Sequence, residues 1–492
     1  MVTIAKRGLC ALLAVVLCAV LIAVAVPKDT KSEPYTQALN DAAIGLDEIG
    51  ITAVYDDKAG TFTATQRMHI YNRFEMPLDE LVLRTYANAF LSEETSPAAI
   101  EEMHELAYPN GFSKGGIEMT SLSVNGNESP IAYDDSAKTV LKVPFSAPLE
   151  AGQAVILELQ YVMTVPDCRY RFGKTADMVV FGNVFPILAA FEDGAFQTRE
   201  YYPIGDPFVS DCANYTVEIT LPRGLSAQGT GLFEKTGDSY TAKALAVREF
   251  GLVLLKGYQE KRVKVDGVVV LSLAKTAAQA QNALDTAKRA LAYFSDSVGP
   301  YPYPSLTVTQ AEVPFSGMEY PQLVLVARGM YNNKDYLERI VAHETAHQWF
   351  YGVVGSDQYS QPWQDEALCE YLVYNYLGHR HGNSRREDAI FNWAEASMRV
   401  TVPRGVTPGS PIEFFGDMNE YSLVVYNRGS AMLVALETAI GREGMDAFLQ
   451  EYYRRFAFKR ADRTDFEQTL LDVCGQDYSE LIKDYLDTHI AN

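Results

Sequence analysis

A histidine repeated four residues on, with a glutamate beside the first, constrains this chain more than any other feature: His343-Glu344-Thr345-Ala346-His347. On a helix, residues four apart share a face, so two imidazoles at that spacing can grip one metal ion. The stretch from Lys334 to Gly352 predicts such a helix, with Leu337, Ile340, Val341 and Phe350 in its apolar period and Gly352 and Gly355 at its end. A second helix is predicted from about Gln364 to Leu377, terminated by Gly378. Glu366 lies in its first turn, where a carboxylate also suits the helix dipole. His343, His347 and Glu366 supply three protein ligands and leave a fourth position open, which describes a catalytic rather than a structural site for one Zn2+ ion. Glu344 sits where a general base is needed. The chain has only seven histidines, so composition alone is a poor source of this string.

Four blocks in order extend the motif. His343-Glu-Thr-Ala-His-Gln-Trp-Phe350 is followed by Trp363-Gln-Asp-Glu-Ala-Leu-Cys-Glu-Tyr371, preceded by Gly317-Met318-Glu319-Tyr320, and followed at a distance by Tyr426-Asn427-Arg428-Gly429. Together they resemble the gluzincin family that includes aminopeptidase N and leukotriene-hydrolysing aminopeptidase, whose pattern is H-E-x-x-H-x-W-F, W-x-N-E-G-F-A, G-x-M-E-N and Y-x-K-G. The resemblance implies an edge strand at Gly317, Met318 and Glu319 that pairs with substrate, with Glu319 binding a free amino group. It also implies that Tyr426 stabilises a tetrahedral intermediate. Asp365 stands for the family's Asn, Ala367 for its Gly, Tyr320 for its Asn and Arg428 for its Lys. Taken as residues alone, Glu319 also reads as a solvated strand carboxylate, and Tyr426 is one of thirty tyrosines, most of them structural. Glu370, one turn after Glu366, is placed to accept from a ligand histidine's second nitrogen or to face solvent. Cys369 is expected to pack rather than bind metal, and His379 and His381 to complement a helix dipole.

The fold class expected is α+β: an N-terminal antiparallel β domain followed by a thermolysin-like, mostly helical catalytic domain. Residues 1–34 are expected to be a targeting segment and linker, 35–258 the β domain and 259–492 the catalytic domain. Thr61 to Tyr71, Ala154 to Val165 and Tyr215 to Leu221 alternate as strands do, with turn signals such as Asn125-Gly126-Asn127 between runs. Ala98 to Leu106 reads as a short helical insertion opened by Pro97. The stretch Tyr201 to Pro222 resembles the β domain that precedes the catalytic domain in the same family. After Gly257 the pattern changes: Ala274 to Val298 is helical, Leu306 to Val313 and Gln322 to Ala327 are strands. Beyond Tyr426 the chain is helical to its end, with Gly441 as a stop signal and Thr464-Asp-Phe-Glu467 as a capping box. Longer members of the family carry further domains beyond this point, so the closed substrate chamber of those members does not carry over as an expectation.

Lys6 and Arg7 precede an apolar run from Gly8 to Val26, long enough to span a bilayer, with a small-residue cleavage site at Ala23-Val24-Ala25. An extracytoplasmic protein is expected, either membrane-anchored by one N-terminal span or secreted after cleavage. The net charge of −21 argues against nucleic-acid partners. Cys168 and Cys212 allow a disulfide and equally allow two buried thiols. The function expected is zinc-dependent hydrolysis of peptide bonds, with Glu344 as base, most simply the removal of N-terminal residues from peptides. A zinc endopeptidase or oligopeptidase, or a non-catalytic membrane-tethered binding protein on the same scaffold, are the alternatives. The preferred residue and the oligomeric state are not legible.

Overall fold

Strands Asp47–Asp56, Thr61–Tyr71 and Ala154–Thr164 alternate buried and open residues along their length, so each presents one face to a core. The computed structural model, which describes residues 33–488, places them side by side in an eight-stranded sheet. From one edge to the other its strands are Leu232–Thr236, Ser239–Val247, Ala213–Thr220, Asp47–Asp56, Thr61–Tyr71, Ala154–Thr164, Gly116–Val124 and Asn127–Glu128. The sheet is antiparallel except for the pairing of Asp47–Asp56 with Ala213–Thr220. Asn125 and Gly126 both have positive φ (51° and 79°), the requirement of the tight hairpin joining its last two strands. Two four-stranded sheets and a two-stranded one, Phe191–Glu192 with Ala195–Phe196, complete the β-rich region. The expected helical insertion is smaller than its pattern: a short 3-10 turn at Pro97–Ala99, capped by Ser96, and one α-turn at His104–Ala107.

After Gln259 a different layer begins. Its five strands run in the order Gln259–Val265, Val268–Ala274, Ser305–Ala311, Leu323–Ala327, Gly317–Tyr320. The three inner strands are parallel neighbours, and the crossover between the first two is the helix Ala277–Ser297, opened by the Thr276 cap. Ser305–Ala311 is buried at every residue, as a strand covered on both faces must be. Gly317–Tyr320 is the antiparallel edge. Its Tyr320 fills a separate core with Met178, Val180, Val253 and Leu325. That ring fits because Gly182 and Gly251 have no side chains; a Cβ on Gly251 would lie 2.7 Å from it. Period-two alternation then puts Gly317 and Glu319 on the opposite face, towards the motif helices.

Those helices differ from expectation at their ends. The first, Lys334–Ala346, is capped by Asn333 and stops before His347 rather than at Gly352. Its last carbonyls are taken by a tight turn, and Tyr351 adopts φ 123°, a conformation unfavourable for a side-chain-bearing residue. Arg248, from the β-rich region, donates to the carbonyls of Tyr351 and Val353 (2.7 and 3.1 Å) and so holds that turn. The second helix, Trp363–His381, runs through Gly378 and ends at Gly382, whose φ of 97° breaks it. Gly378 serves packing instead, since a Cβ there would meet the Arg386 side chain at 2.9 Å.

Further on, Gly441 does interrupt the long helix Gly429–Phe456, with φ 77°. The helix Arg463–Cys474 is opened by a reciprocal box between Asp462 and Asp465, not by Thr464 and Glu467. The extended backbone at Asp462 lets its carboxylate reach the Asp465 N–H, which leaves the later pair inside the helix.

The expectation of a single N-terminal membrane span, with extracytoplasmic placement, is corrected. No helix among the described residues is long and apolar enough to cross a membrane, and the run Gly8 to Val26 lies outside them. Cys168 and Cys212 are both free buried thiols.

Candidate active site

The two motif helices bring His343, His347 and Glu366 together. The Nε2 atoms of the histidines are 3.1 Å apart, and each lies 3.3 Å from Glu366 Oε2. Ligand atoms about 2.0–2.1 Å from a tetrahedral zinc ion are separated by about 3.3–3.4 Å, so this triangle has the size of one face of such a site. Two imidazole nitrogens facing each other at that distance also call for a cation between them. Glu366 Oε2 is buried and without a hydrogen-bond partner, as an atom reserved for a metal would be. The donor set therefore suits one zinc ion.

Each ligand histidine is steered through its other nitrogen. His347 Nδ1 lies 2.5 Å from Asp365 Oδ1, and Gln358 donates to the other Asp365 oxygen. His343 Nδ1 lies 3.3 Å from Glu370 Oε1, which Arg339 holds at 2.6 Å. Burial opposes charge on His343, but its bonds to Glu366 and Glu370 outweigh that and lift its pKa to about 9. Such a cavity favours a cation. Asp365, noted in the sequence only as a departure from Asn, thus orients a ligand. Cys369, Asp365 and His347 also lie close enough to form a second donor group. However, that group needs the His347 nitrogen already engaged by Asp365, and burial raises the Cys369 pKa, keeping it a thiol that donates to the Phe350 carbonyl.

Glu344 lies on the face turned to the edge strand. A Cβ on Gly317 would sit 2.1 Å from Glu344 Oε1, so only glycine fits at that position. Burial pushes the Glu344 pKa up to about 7 against the pull of both histidines. Glu319 is buried beside it, and Glu319, Glu344 and His347 place ligand-type atoms within 4.8 Å of one another. The Tyr426 hydroxyl donates to Glu366 Oε1 (2.5 Å) from a turn of π-helix at Ser422–Arg428. Burial raises its pKa well above the usual value, so it keeps its proton. Arg428 faces elsewhere, bonding the carbonyls of Ser397 and Val400. Ala367 meets Gly429, where an added Cβ would come within 2.7 Å, so one of the two positions must stay bare.

The cavity is small, about 60 Å³, and its walls come from both halves of the chain. Met103, Tyr170, Arg171 and Asp206 come from the β-rich region, Phe315 from just before the edge strand, and Met418 from the helical part. Arg171 and Asp206 form a buried ion pair at 2.5 Å. Neither was singled out from sequence. The one signal for Asp206 was its place in the Tyr201 to Pro222 stretch.

Residues 282–485 match the model of the peptidase family M1 domain. That span, about two fifths of the chain, is similar to the M1 peptidase domain. Leukotriene A-4 hydrolase from Xenopus laevis is 23% identical over 72% of this chain and 61% of the relative. Leucine aminopeptidase 2-1 from Meyerozyma guilliermondii is 30% identical over 32% of this chain and 27% of its own length. The chain thus spans less than two thirds of these curated M1 relatives. An M1 zinc metallopeptidase from Deinococcus radiodurans shares the fold with a TM-score of 0.64. That match covers 89% of this chain and 93% of the other at 17% identity. The α+β architecture, a β-rich region followed by a helical one, is that of the M1 fold.

Proposed function

We propose that this chain hydrolyses peptide bonds at one zinc ion held by His343, His347 and Glu366, and that it removes residues from the free N-terminus of peptides. In this reading residues 35–258 are a β domain that walls the cavity and residues 259–492 are the catalytic domain. The observation that carries it is the convergence of Glu344, Glu319 and the Tyr426 hydroxyl on the metal-sized triangle. Zinc, when bound, supplies Lewis acidity that polarises a carbonyl and makes water a nucleophile near neutral pH. Glu344 takes the proton of the attacking water and passes it to the leaving amine, a role suited to a carboxyl raised towards neutrality. Tyr426, protonated, donates to the oxygen that gains negative charge, exchanging its Glu366 acceptor for the substrate. Glu319, at the end of a strand able to pair with substrate backbone, accepts from the free ammonium and so counts one residue to the scissile bond.

The test uses the full chain on aminoacyl chromogenic substrates beside their N-acetylated forms, with chelation and zinc restoration. Cleavage of the free-amine forms alone, lost on chelation and restored by zinc, is expected. Equal cleavage of both forms would replace the N-terminal reading with an endopeptidase. Metal-independent behaviour, or no hydrolysis at all, would overturn the hydrolytic reading.

A further inference from the structure

The cavity does not end at the edge strand. Phe315 lines both the catalytic space and a neighbouring cleft of about 370 Å³, whose walls include Leu106, Val313, Pro314 and Met330. Arg169, Glu312 and Arg328 line this cleft but not the catalytic space, and the same three residues line a further cleft of about 570 Å³. The two spaces therefore adjoin at Phe315, and the direction from Glu319 back past Gly317 and Phe315 points to two arginines. A peptide with its amine at Glu319 and its backbone along the strand edge must run this way. Extended chain advances about 3.3 Å per residue, so its third or fourth residue lies over Phe315 and the following one near the arginines.

The chemistry of the path changes along its length. The first cleft has an apolar floor, and Leu106 is 57% exposed there with nothing covering it. At its far side Arg169 has a side chain 45% exposed. Its one ion pair is a loose contact of Nε with Glu312 at 3.5 Å, and its terminal nitrogens have no hydrogen-bond partner among the described residues. Its backbone N–H donates to the Ala107 carbonyl (2.9 Å), and the adjoining Tyr170 packs edge-on against Phe315 at 5.5 Å. The guanidinium is thus fixed at its base and open at its tip. Arg328 is 46% exposed and is engaged by Glu312 and by Asp177, so it adds charge while Arg169 supplies free donors. An open guanidinium fork is matched to a carboxylate.

We infer that Arg169, supported by Arg328, binds a carboxylate at the far end of a short peptide, so that this chain selects substrates of about four or five residues. This rests on the proposed N-terminal reading of the site. Two sources offer that chemistry: the peptide's own C-terminus, or an acidic side chain at the same place.

Binding to the full-length Glu344→Gln protein, loaded with zinc, is measured by calorimetry for a series of tetra- and pentapeptides with an apolar third residue. The peptides are free acids, C-terminal amides, and amides carrying a terminal Glu. A free acid should bind about five- to tenfold more tightly than its amide, the scale of one charge-assisted contact near the surface, and less so at high salt. The ratio should fall to about one in Glu344→Gln/Arg169→Gln and return with Arg169→Lys. Tighter binding of the Glu amide than of the free acid assigns the contact to an acidic side chain. A ratio near one in the parent protein, or a ratio unchanged by Arg169→Gln, overturns the inference. Hydrolysis of aminoacyl substrates by the unaltered chain is read separately, so loss of the carboxylate preference and loss of the peptidase reading are distinct results.

Discussion

The metal-binding wall of the cavity and its substrate-facing wall are built by opposite means. His343 and Glu344 lie on one helix, His347 caps its end, and Asp365, Glu366 and Glu370 lie on the next, so local spacing fixes which of them meet. The facing wall collects Met103, Arg171, Asp206 and Glu319 from segments far apart in sequence, joined only by the packing of sheets against one another. The first wall is a property of local periodicity. The second exists only once the β-rich region is docked on the rest. A substitution on the first wall should therefore act on chemistry, and one on the second should act on what is selected.

The largest effect tests the first wall. Glu344→Gln removes the base and keeps the ligands, so kcat should fall about a thousandfold, within the range of general-base contributions, while metal content by atomic absorption stays at one zinc per chain. Loss of the metal together with activity would mean that Glu344 belongs to the ligand set. Gly317→Ala crosses the divide: the new methyl occupies the place of the Glu344 carboxylate, so a strand substitution should read out as a base defect. A fall of about a hundredfold in kcat with little change in KM is expected, since a misplacement of about 1 Å has that cost. If KM rises and kcat holds, the strand and the base are not coupled as the close approach requires. Glu319→Gln should act on selection alone. The preference for free-amine over N-acetylated substrates should narrow by about ten- to a hundredfold, on the order of one charge-assisted bond of 1.5–3 kcal/mol. Equal losses on both substrates would instead make Glu319 part of the catalytic machinery.

The same contrast explains what could be read from the sequence. The H-E-x-x-H string and Glu366 were legible because helix geometry follows from spacing alone, and the strand Thr61–Tyr71 was legible because alternation is equally local. The end of the first motif helix was not. Its periodicity continues to Phe350, but the chain turns after Ala346, and Arg248, almost a hundred residues upstream, holds that turn through the Tyr351 and Val353 carbonyls. Gly378 looked like a terminator because its lack of a side chain serves two purposes, and only the contact with Arg386 shows which applies. Where the Tyr320 ring goes could not be read from the pattern. The answer lies in Gly182 and Gly251, which open room for the ring on the face away from the site. Asp206 and Arg171 carry no motif, so nothing short of the packed structure brings them to the cavity.

The last effect, read in stability and not in activity, concerns the seam between the two walls, where the β-rich region grips the turn after the motif helix. Glu249 is buried there, accepts from the Tyr351 hydroxyl and from Asn183 Nδ2, and sits beside the strained backbone at Tyr351. Burial is the main reason its pKa rises from the ordinary value of 4.5 to about 7, with the Tyr351 bond and Arg171 opposing. Between those two values the folded chain keeps a proton that the unfolded chain has released. Its contribution to stability therefore falls as pH rises from about 4.5 to about 7 and stays lower above that, by on the order of 3 kcal/mol. Glu249→Gln keeps an acceptor for Tyr351 and cannot ionise. Denaturant midpoints should thus coincide for variant and parent near pH 4.5 and favour the variant at pH 8. If the variant is the less stable at pH 8, the ionised carboxylate is holding Tyr351 in place, and the seam depends on its charge rather than tolerating it.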